Sequence, residues 1–284
     1  THKVRYPMLN LIQRIKAFNR KRVQDRRNSK FQSSLSNDFD REILSIDQLK
    51  ILTQGQKGQK VHPSSRIAVY STYMGASNAK TFRRSPVDRS IDHYFISNNQ
   101  DVLSAAKDMG WMGIELNLPV SSNRILSAQQ SKIAKAMPHL FGQLGNYDYL
   151  LYVDDKIEFS TNHLAGWISE IERNQAMLMI RRHPDLKKNI LNEFGTSMIQ
   201  ARYQAQKDQM AEYISAKVDE GYQLRVDKLY WTSALLRNMR HPKIIDFNES
   251  WYKDIVSCGI ECQISFDFVA QNFSEIIEMP QIIN

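Results

Sequence analysis

A short, mostly apolar run at residues 147–153, Tyr-Asp-Tyr-Leu-Leu-Tyr-Val, leads directly into the acidic pair Asp154 and Asp155. Short apolar runs of this kind are typical of strands that are buried on both faces, as in a parallel sheet. In open parallel sheets, ligands bind beyond the carboxyl ends of the strands. The pattern therefore predicts a parallel α/β sheet, with two carboxylates at the edge where such sheets bind ligands.

Other apolar runs and helical patterns alternate along the rest of the chain. Buried-strand patterns occupy residues 67–72, 93–97, 111–116 and 176–180. Helical patterns occupy residues 127–141, 163–174, 186–220, 249–258 and 263–273, and residues 224–236 have mixed strand and helix character. Strands that alternate with helices predict an α/β fold with a mostly parallel central sheet flanked by helices. Within the helix predicted for 127–141, Pro138 is placed to produce a kink.

The positive charge is concentrated at one end of the chain. The 284 residues carry a formal charge of +8. Residues 1–30 hold ten basic side chains and one acid, whereas the other 254 residues hold 28 basic and 29 acidic side chains. Because the body is nearly neutral, the charge distribution argues against a globally basic nucleic-acid-binding body, and no nucleic-acid partner is expected. We predict a basic helical arm and linker at 1–62 and a folded domain at 63–284.

The arm has two interpretations, because its apolar side chains recur at helical spacing among cations. These apolar side chains are Met8, Leu11, Ile12, Ile15 and Phe18. Such a helix suits docking to an acidic membrane surface, and it equally suits packing on the domain or contacts in a homo-oligomer. No apolar run is long enough to span a bilayer. We therefore expect a cytoplasmic protein, peripheral on the membrane, or a Golgi-lumen protein if an anchor precedes the sequence. The two cysteines, Cys258 and Cys262, are expected to be buried, reduced thiols.

Residues 149–159, Tyr-Leu-Leu-Tyr-Val-Asp-Asp-Lys-Ile-Glu-Phe, resemble the nucleotide-sugar segment of GT-A glycosyltransferases, where an apolar strand ends in an Asp-x-Asp-like signature. More narrowly, the chain resembles the plant-type TOD/MUCI glycosyltransferase-like family, formerly a domain of unknown function. The blocks that carry this resemblance keep the family's order and lie at 67–75, 93–97, 110–111, 132–139, 182–193, 209–222 and 263–266. The resemblance implies a GT-A-like (Rossmann-like), mostly parallel sheet flanked by helices, following an N-terminal helical arm.

The same resemblance implies an activity. It implies a hexosyl- or related transferase that moves a sugar from a nucleotide-diphosphate-sugar donor to a hydroxyl of a glycan, polysaccharide or glycolipid acceptor. A divalent cation, Mn²⁺ or Mg²⁺, is the implied cofactor. Two alternatives stay open: a non-catalytic relative that binds a nucleotide sugar or glycan, and a nucleic-acid-binding protein that uses the basic arm.

Eight residues are candidates for the chemistry of such a site. Asp154, Asp155 and His183 are the expected metal ligands, because hard cations take carboxylate oxygens and neutral imidazole also binds metals. These three residues, with Lys132 and Arg182, are expected to bind the donor, and Glu193, Glu261 and Asp267 are candidate bases for the acceptor hydroxyl. Two departures from the family pattern bear on these roles. Lys156 stands where the second acid of an Asp-x-Asp motif falls, and Cys262 stands where the family often has an acid.

Overall fold

Seven strands form one central sheet in the computed structural model, which describes residues 23–26, 28–29, 44–54, 65–76, 87–157, 159–185 and 188–280. The strands are β1 (Ile67–Thr72), β2 (Asp92–Ser97), β3 (Met112–Glu115), β4 (Tyr149–Val153), β5 (Leu178–Arg182), β6 (Tyr230–Asn238) and β7 (Ile276–Glu278). Their order across the sheet is β3-β2-β1-β4-β6-β5-β7. Strand β6 pairs antiparallel with both β4 and β5, whereas the other neighbours pair in parallel. The predicted mostly parallel sheet is confirmed.

Helices cover both faces of this sheet. From residue 44 onward, the α-helices of the described chain are α1 (Ile46–Thr53), α2 (Gln100–Asp108), α3 (Arg124–Ala136), α4 (Leu164–Arg173), α5 (Ile190–Ser197), α6 (Ala201–Gln204), α7 (Lys207–Asp219), α8 (Ile244–Cys258) and α9 (Cys262–Val269). The predicted α/β class with flanking helices is therefore confirmed.

Strand β1 shows how the sheet separates two hydrophobic cores. Successive strand side chains point to opposite faces, so Ala68 and Tyr70 join the core formed with α3, α8 and α9. Ile67 and Val69 join the core formed with α2 and α4. Burial on both faces explains why the central strands read as continuous apolar runs in the sequence. A third, smaller core connects α5, α7 and α9.

The boundaries of several elements differ from those predicted. Helix α3 ends at Ala136, and Pro138 starts a separate 3₁₀ turn, Pro138–Leu140. The predicted kink is therefore wrong: the proline, which lacks an N–H and clashes with the preceding turn, ends the helix. Strand β5 lies two residues later than expected, and β6 begins at residue 230, within the mixed segment 224–236. Cys258 and Cys262 are both free and buried, as expected.

Most of the predicted arm, including its apolar stripe, lies outside the described residues. The described part, at 23–26 and 28–29, is helical. The Asn28 side-chain oxygen accepts a hydrogen bond from the backbone N–H of Ala201 at 3.0 Å, so this part of the arm contacts the start of α6. Across the described ranges, no helix combines the length and the apolar character needed to cross a membrane.

Candidate active site at the carboxyl edge of the sheet

A cavity of about 800 Å³ opens at the edge of the sheet where the parallel strands end. Strand β6 also reaches this edge, because it runs antiparallel and begins where its neighbours finish. The strand-end residues on the cavity wall are Thr72, Tyr73, Met74, Tyr152, Asp154, Asp155, Lys156, His183, Trp231 and Thr232. The cavity thus lies at the edge to which the sequence pattern assigned Asp154 and Asp155.

One face of α3 forms a second wall of the cavity. Its lining residues recur every three or four positions, at Arg124, Ser127, Ala128, Ser131, Lys132 and Lys135. This spacing keeps side chains on one side of a helix. The helix starts at Asn123, whose side-chain oxygen accepts hydrogen bonds from the N–H groups of Ile125 and Leu126, an arrangement that stabilises a helix N-terminus. The wall is therefore a regular helix face that presents hydroxyl and ammonium groups.

The turn after β1 closes tightly against this helix. Gly75 has a φ of +98°, and a Cβ at this position would lie 2.1 Å from the Ser127 Oγ. Its N–H donates a hydrogen bond to the Asn98 Oδ1 at 2.9 Å. Because both the backbone conformation and the available space require glycine, the cavity rim between β1 and α3 has a defined shape.

Asp154 is held by two other side chains of the cavity. Its Oδ1 accepts hydrogen bonds from the Tyr152 hydroxyl at 2.7 Å and from the Lys135 ammonium at 3.2 Å. Lys135 is only 3% exposed, and its ammonium lies 5.0 Å from the centre of the Tyr152 ring. Burial acts to raise the pKa of Asp154, but the charges of Lys135 and Lys132 outweigh burial and lower it. Asp154 is therefore an ionised carboxylate paired with a buried cation.

Lys135 was not among the sequence-predicted site residues, although Lys132, one helical turn earlier, was. Burial acts to lower the pKa of Lys135, but the Asp154 charge overcomes that effect and the pKa is raised. The signal that could have found Lys135 is the polar spacing of α3, since Ser131, Lys132 and Lys135 share one face. Its partner, however, is 19 positions away, and no spacing rule connects them.

Two carboxylates stand on the wall formed by α5 and the start of α9. Glu193 accepts a hydrogen bond from the Gln263 side-chain amide at 2.9 Å. Glu261 accepts the backbone N–H of Gln263 at 3.2 Å, and so caps α9. Burial and the charge of Glu193 raise the pKa of Glu261, against the opposing charge of Lys132. Glu261 is therefore a carboxyl group whose proton affinity is increased by its surroundings.

The chain positions Glu261 through a sharp turn between α8 and α9. Gly259 ends α8 with a φ of +101°, and a Cβ there would lie 2.9 Å from the Gln206 Oε1. The same oxygen accepts the N–H of Ile260 at 3.0 Å. Glycine is required at this point because the chain reverses against Gln206, and two residues later Glu261 reaches the cavity.

Both ring nitrogens of His183 are occupied by neighbours. Nδ1 accepts the backbone N–H of Asp185 at 3.2 Å, and Nε2 lies 3.3 Å from Oε2 of Glu193. Since Nδ1 accepts, the neutral ring carries its proton on Nε2 and donates it to Glu193. His183 is thus on the cavity wall, where it orients Glu193.

Asp267 and Arg182 are not on the cavity wall. Asp267 is 3% exposed and accepts the N–H of Tyr230 at 3.0 Å through Oδ1. Its Oδ2 is buried without a hydrogen-bond partner among the described residues, and burial raises the pKa of this carboxyl well above its usual range. Arg182 pairs with Tyr230 in the sheet. The structure thus brings six of the eight predicted residues to one cavity and leaves these two outside it.

The three expected metal ligands all line the cavity, but they do not form a ready coordination shell. Over the described ranges, no three His, Cys, Asp or Glu side chains are grouped so that they could hold a metal ion. Asp154 is bound to Lys135 and Tyr152, while His183 is bound to Glu193 and the Asp185 backbone. This donor set does not fit a resident divalent cation.

No family model matches the sequence, and no curated protein matches it. Among solved structures, the chain is similar to mouse xyloside xylosyltransferase 1 in its apo form, with a TM-score of 0.40 and 9% identity over 75% of this chain and 84% of that one. It is also similar to core-mannan synthase A from Aspergillus fumigatus in its Mn/GDP form, with a TM-score of 0.41 and 8% identity over 79% and 75%. A third similar structure is the mannosyltransferase Ktr4p from S. cerevisiae, with a TM-score of 0.40 and 10% identity over 91% and 84%. At such identities no residue role is transferred, and the roles of individual residues rest on the geometry of the cavity itself.

Proposed function

We propose that this chain is a glycosyltransferase that moves a sugar from a nucleotide-diphosphate-sugar donor to a hydroxyl of a glycan, polysaccharide or glycolipid. The observation that carries the proposal is a single cavity with cations on one wall and carboxylates on another. Lys132 and Lys135 project from α3, and Glu193 and Glu261 stand on the wall formed by α5 and α9. A volume of about 800 Å³ lies within the usual size of ligand pockets. The motif resemblance of residues 149–159 supports the same activity.

The proposed reaction uses both the cationic wall and the carboxylate wall of the cavity. The bond between the anomeric carbon and the diphosphate oxygen breaks, and its electron pair leaves with the nucleoside diphosphate. Ammonium groups that face this oxygen stabilise the negative charge that develops there. A new bond forms from the acceptor oxygen to the anomeric carbon, and the acceptor proton passes to a carboxylate on the opposite wall.

Glu261 is the carboxylate best suited to take that proton. It lines the cavity, and its raised pKa brings its proton affinity nearer to neutral pH, which favours a general base. Glu193 also lines the cavity, but it is already engaged by His183 and Gln263. We therefore assign Glu261 as the base and Glu193 as the group that, with His183, orients this wall.

The proposal is tested by ligand binding followed by turnover. Nucleoside diphosphates and nucleotide sugars are screened for their effect on the melting temperature of the full chain, with the matching nucleosides as controls. Because a ligand that binds only the native state raises its stability, at least one diphosphate should raise the melting temperature. The matching donor should then be hydrolysed or transferred to a hydroxyl acceptor. No shift with any of these compounds would contradict the proposal, and binding without turnover would instead support the non-catalytic alternative.

A further inference from the structure

A buried ammonium group lies directly beside Asp154, one of the three expected metal ligands. The Lys135 ammonium lies 3.2 Å from the Asp154 Oδ1, which also accepts the Tyr152 hydroxyl. A carboxylate has two oxygens only, so a metal ion on the second oxygen would share this small group with a positive charge. Like charges at such short range repel strongly in a partly buried site. The charge of the Asp154 carboxylate is therefore already balanced by the Lys135 ammonium.

Lys135 is held in this position both at its backbone and at its ammonium group. Its backbone carbonyl accepts a hydrogen bond at 2.7 Å from Arg237, whose guanidinium is fully buried. The ammonium rests over the Tyr152 ring at 5.0 Å, and the side chain is 3% exposed. The conformational entropy of this lysine is thus already lost before a ligand arrives, which favours ligand binding.

Five cationic side chains, Lys135 among them, line a cavity whose walls also carry four carboxylates, Asp154, Asp155, Glu193 and Glu261. Lys132 stands one turn earlier on the same helix face, and Arg124, Lys156 and Arg202 also line the cavity. Lysine and arginine bind phosphate oxygens directly, by charge-assisted hydrogen bonds. Lys156 stands where an Asp-x-Asp motif has its second acid. A positive charge therefore replaces a negative one at this position.

From these contacts we propose that Lys132 and Lys135 bind the diphosphate of the donor directly, with Asp154 positioning Lys135, and that this binding requires no divalent cation. The inference rests on the proposed function, since it concerns the donor of that reaction. It differs from the cation-dependent site that the motif resemblance implies. It assigns Lys135 as a binding residue and Asp154 as a positioning residue.

The experiment measures the binding of UDP and of GDP to the full chain by calorimetry, first in EDTA and then with Mn²⁺ added. The expected result is binding in EDTA with an affinity within about twofold of that in Mn²⁺, because direct contacts to lysine need no metal. Binding that occurs only with Mn²⁺ would overturn this inference and leave the proposed function intact. Binding of neither nucleotide under either condition would overturn both.

Two variants test the assignment of the lysines. Lys135→Met is expected to weaken the binding of the nucleotide by at least about tenfold in EDTA, the order expected for loss of one charge-assisted contact. Lys132→Met, at a half-buried position where folding is little affected, is expected to weaken it similarly. Lys107→Met, at an exposed position on α2, is the matched control and should bind as the parent does. Unchanged affinity in Lys132→Met, or in a folded Lys135→Met protein, would contradict the direct contacts.

Discussion

Glu261 is a buried carboxyl group with charges of both signs around it. Glu193 acts to raise its pKa and Lys132 acts to lower it, while burial, the largest cause, raises it. An acid with a raised pKa in the folded state favours the protonated form. Its contribution to stability is therefore present below the unfolded-state pKa and is lost as the pH rises through the folded-state pKa.

Replacing this acid should separate its effect on activity from its effect on stability. Glu261→Gln is expected to lower the rate of sugar transfer by about 10²- to 10⁴-fold, the range for loss of a general base. The free energy of unfolding of Glu261→Gln should exceed that of the parent protein. The difference should grow as the pH rises above about 4.5, the ordinary pKa of a glutamate. Denaturant unfolding at several pH values measures this trend. Glu212→Gln, on the exposed side of α7, is the control, and an active Glu261→Gln enzyme would refute the assignment.

His139 should make the fold sensitive to acid. Burial, together with the nearby Arg237 charge, outweighs the opposing charge of Glu249 and lowers the pKa of His139 to about 4. Asn248 also favours the neutral ring of His139. Its side-chain oxygen accepts a hydrogen bond from Arg237 at 3.0 Å, so its NH₂ group faces the His139 Nδ1 at 3.4 Å. A lowered histidine pKa contributes stability above its unfolded value near 6.5, and this stability is lost as the pH falls through 4.

The expected loss is about 3 kcal/mol, from a pKa change of about 2.5 at roughly 1.4 kcal/mol per unit. Urea unfolding of the parent between pH 7 and pH 4 should show it, and His139→Gln should remove most of this pH dependence. His163→Gln, which changes an exposed histidine, should retain it. An identical pH dependence in the parent and in His139→Gln would show that other groups cause the acid sensitivity.

At the scale of elements, one arginine side chain joins four of them. The Arg237 guanidinium, on β6, donates to the Tyr70 hydroxyl of β1 at 2.8 Å, to the Lys135 carbonyl of α3 at 2.7 Å and to the Asn248 oxygen of α8 at 3.0 Å. No carboxylate forms an ion pair with Arg237 among the described residues. This cation is instead surrounded by hydrogen-bond acceptors and by the Trp251 ring, whose centre lies 5.9 Å from the guanidinium carbon. The acceptors need Arg237 in turn, since a buried acceptor left without a donor is costly.

Arg237→Ala is therefore expected to destabilise the protein by about 3–5 kcal/mol, because it removes three buried hydrogen bonds and opens a cavity. The change in the denaturant midpoint measures this loss. Arg89→Ala, at an exposed position, is the matched control and should change stability by less than about 0.5 kcal/mol. A loss below about 1 kcal/mol in Arg237→Ala would mean that water or neighbouring groups replace the lost hydrogen bonds.

The sequence specifies these elements better than their ends. Residues 147–153 were recognised as a strand because they form a mostly apolar run of seven residues. Strand β7 (Ile276–Glu278) has only three residues and no periodicity to detect. Pro138 was predicted to kink its helix but ends it instead, because the outcome at a proline depends on whether the residues after it continue the helix. Residues 230–236 of the mixed segment became part of β6 because pairing with β4 and β5 decided their conformation. Such tertiary pairing is invisible in local propensity.

At the scale of the whole molecule, local sequence patterns likewise predict only part of the candidate site. Asp154 and Asp155 could be predicted because they follow a strand directly, and strand ends meet at one sheet edge. The pairings Lys135–Asp154 and His183–Glu193 could not, because they join residues on separate elements. The position of Asp267 behind the wall is equally a matter of packing. The division at residues 62 and 63 stays a prediction, since residues 55–64 lie outside the described part of the chain.

The charge distribution leads to a prediction for the whole chain. Residues 1–22 hold seven basic side chains and no acidic ones, and each cation near an anionic surface contributes about 1 kcal/mol to binding. Deleting 1–22 should therefore weaken binding to phosphatidylserine vesicles by at least about tenfold, as measured by co-sedimentation, and added salt should weaken binding of the full chain. The deletion retains Asn28 and its contact with Ala201, so an unchanged melting temperature serves as the control. Equal binding of the two proteins to acidic vesicles would exclude membrane docking and favour the interpretation in which the arm packs on the domain or on a second copy.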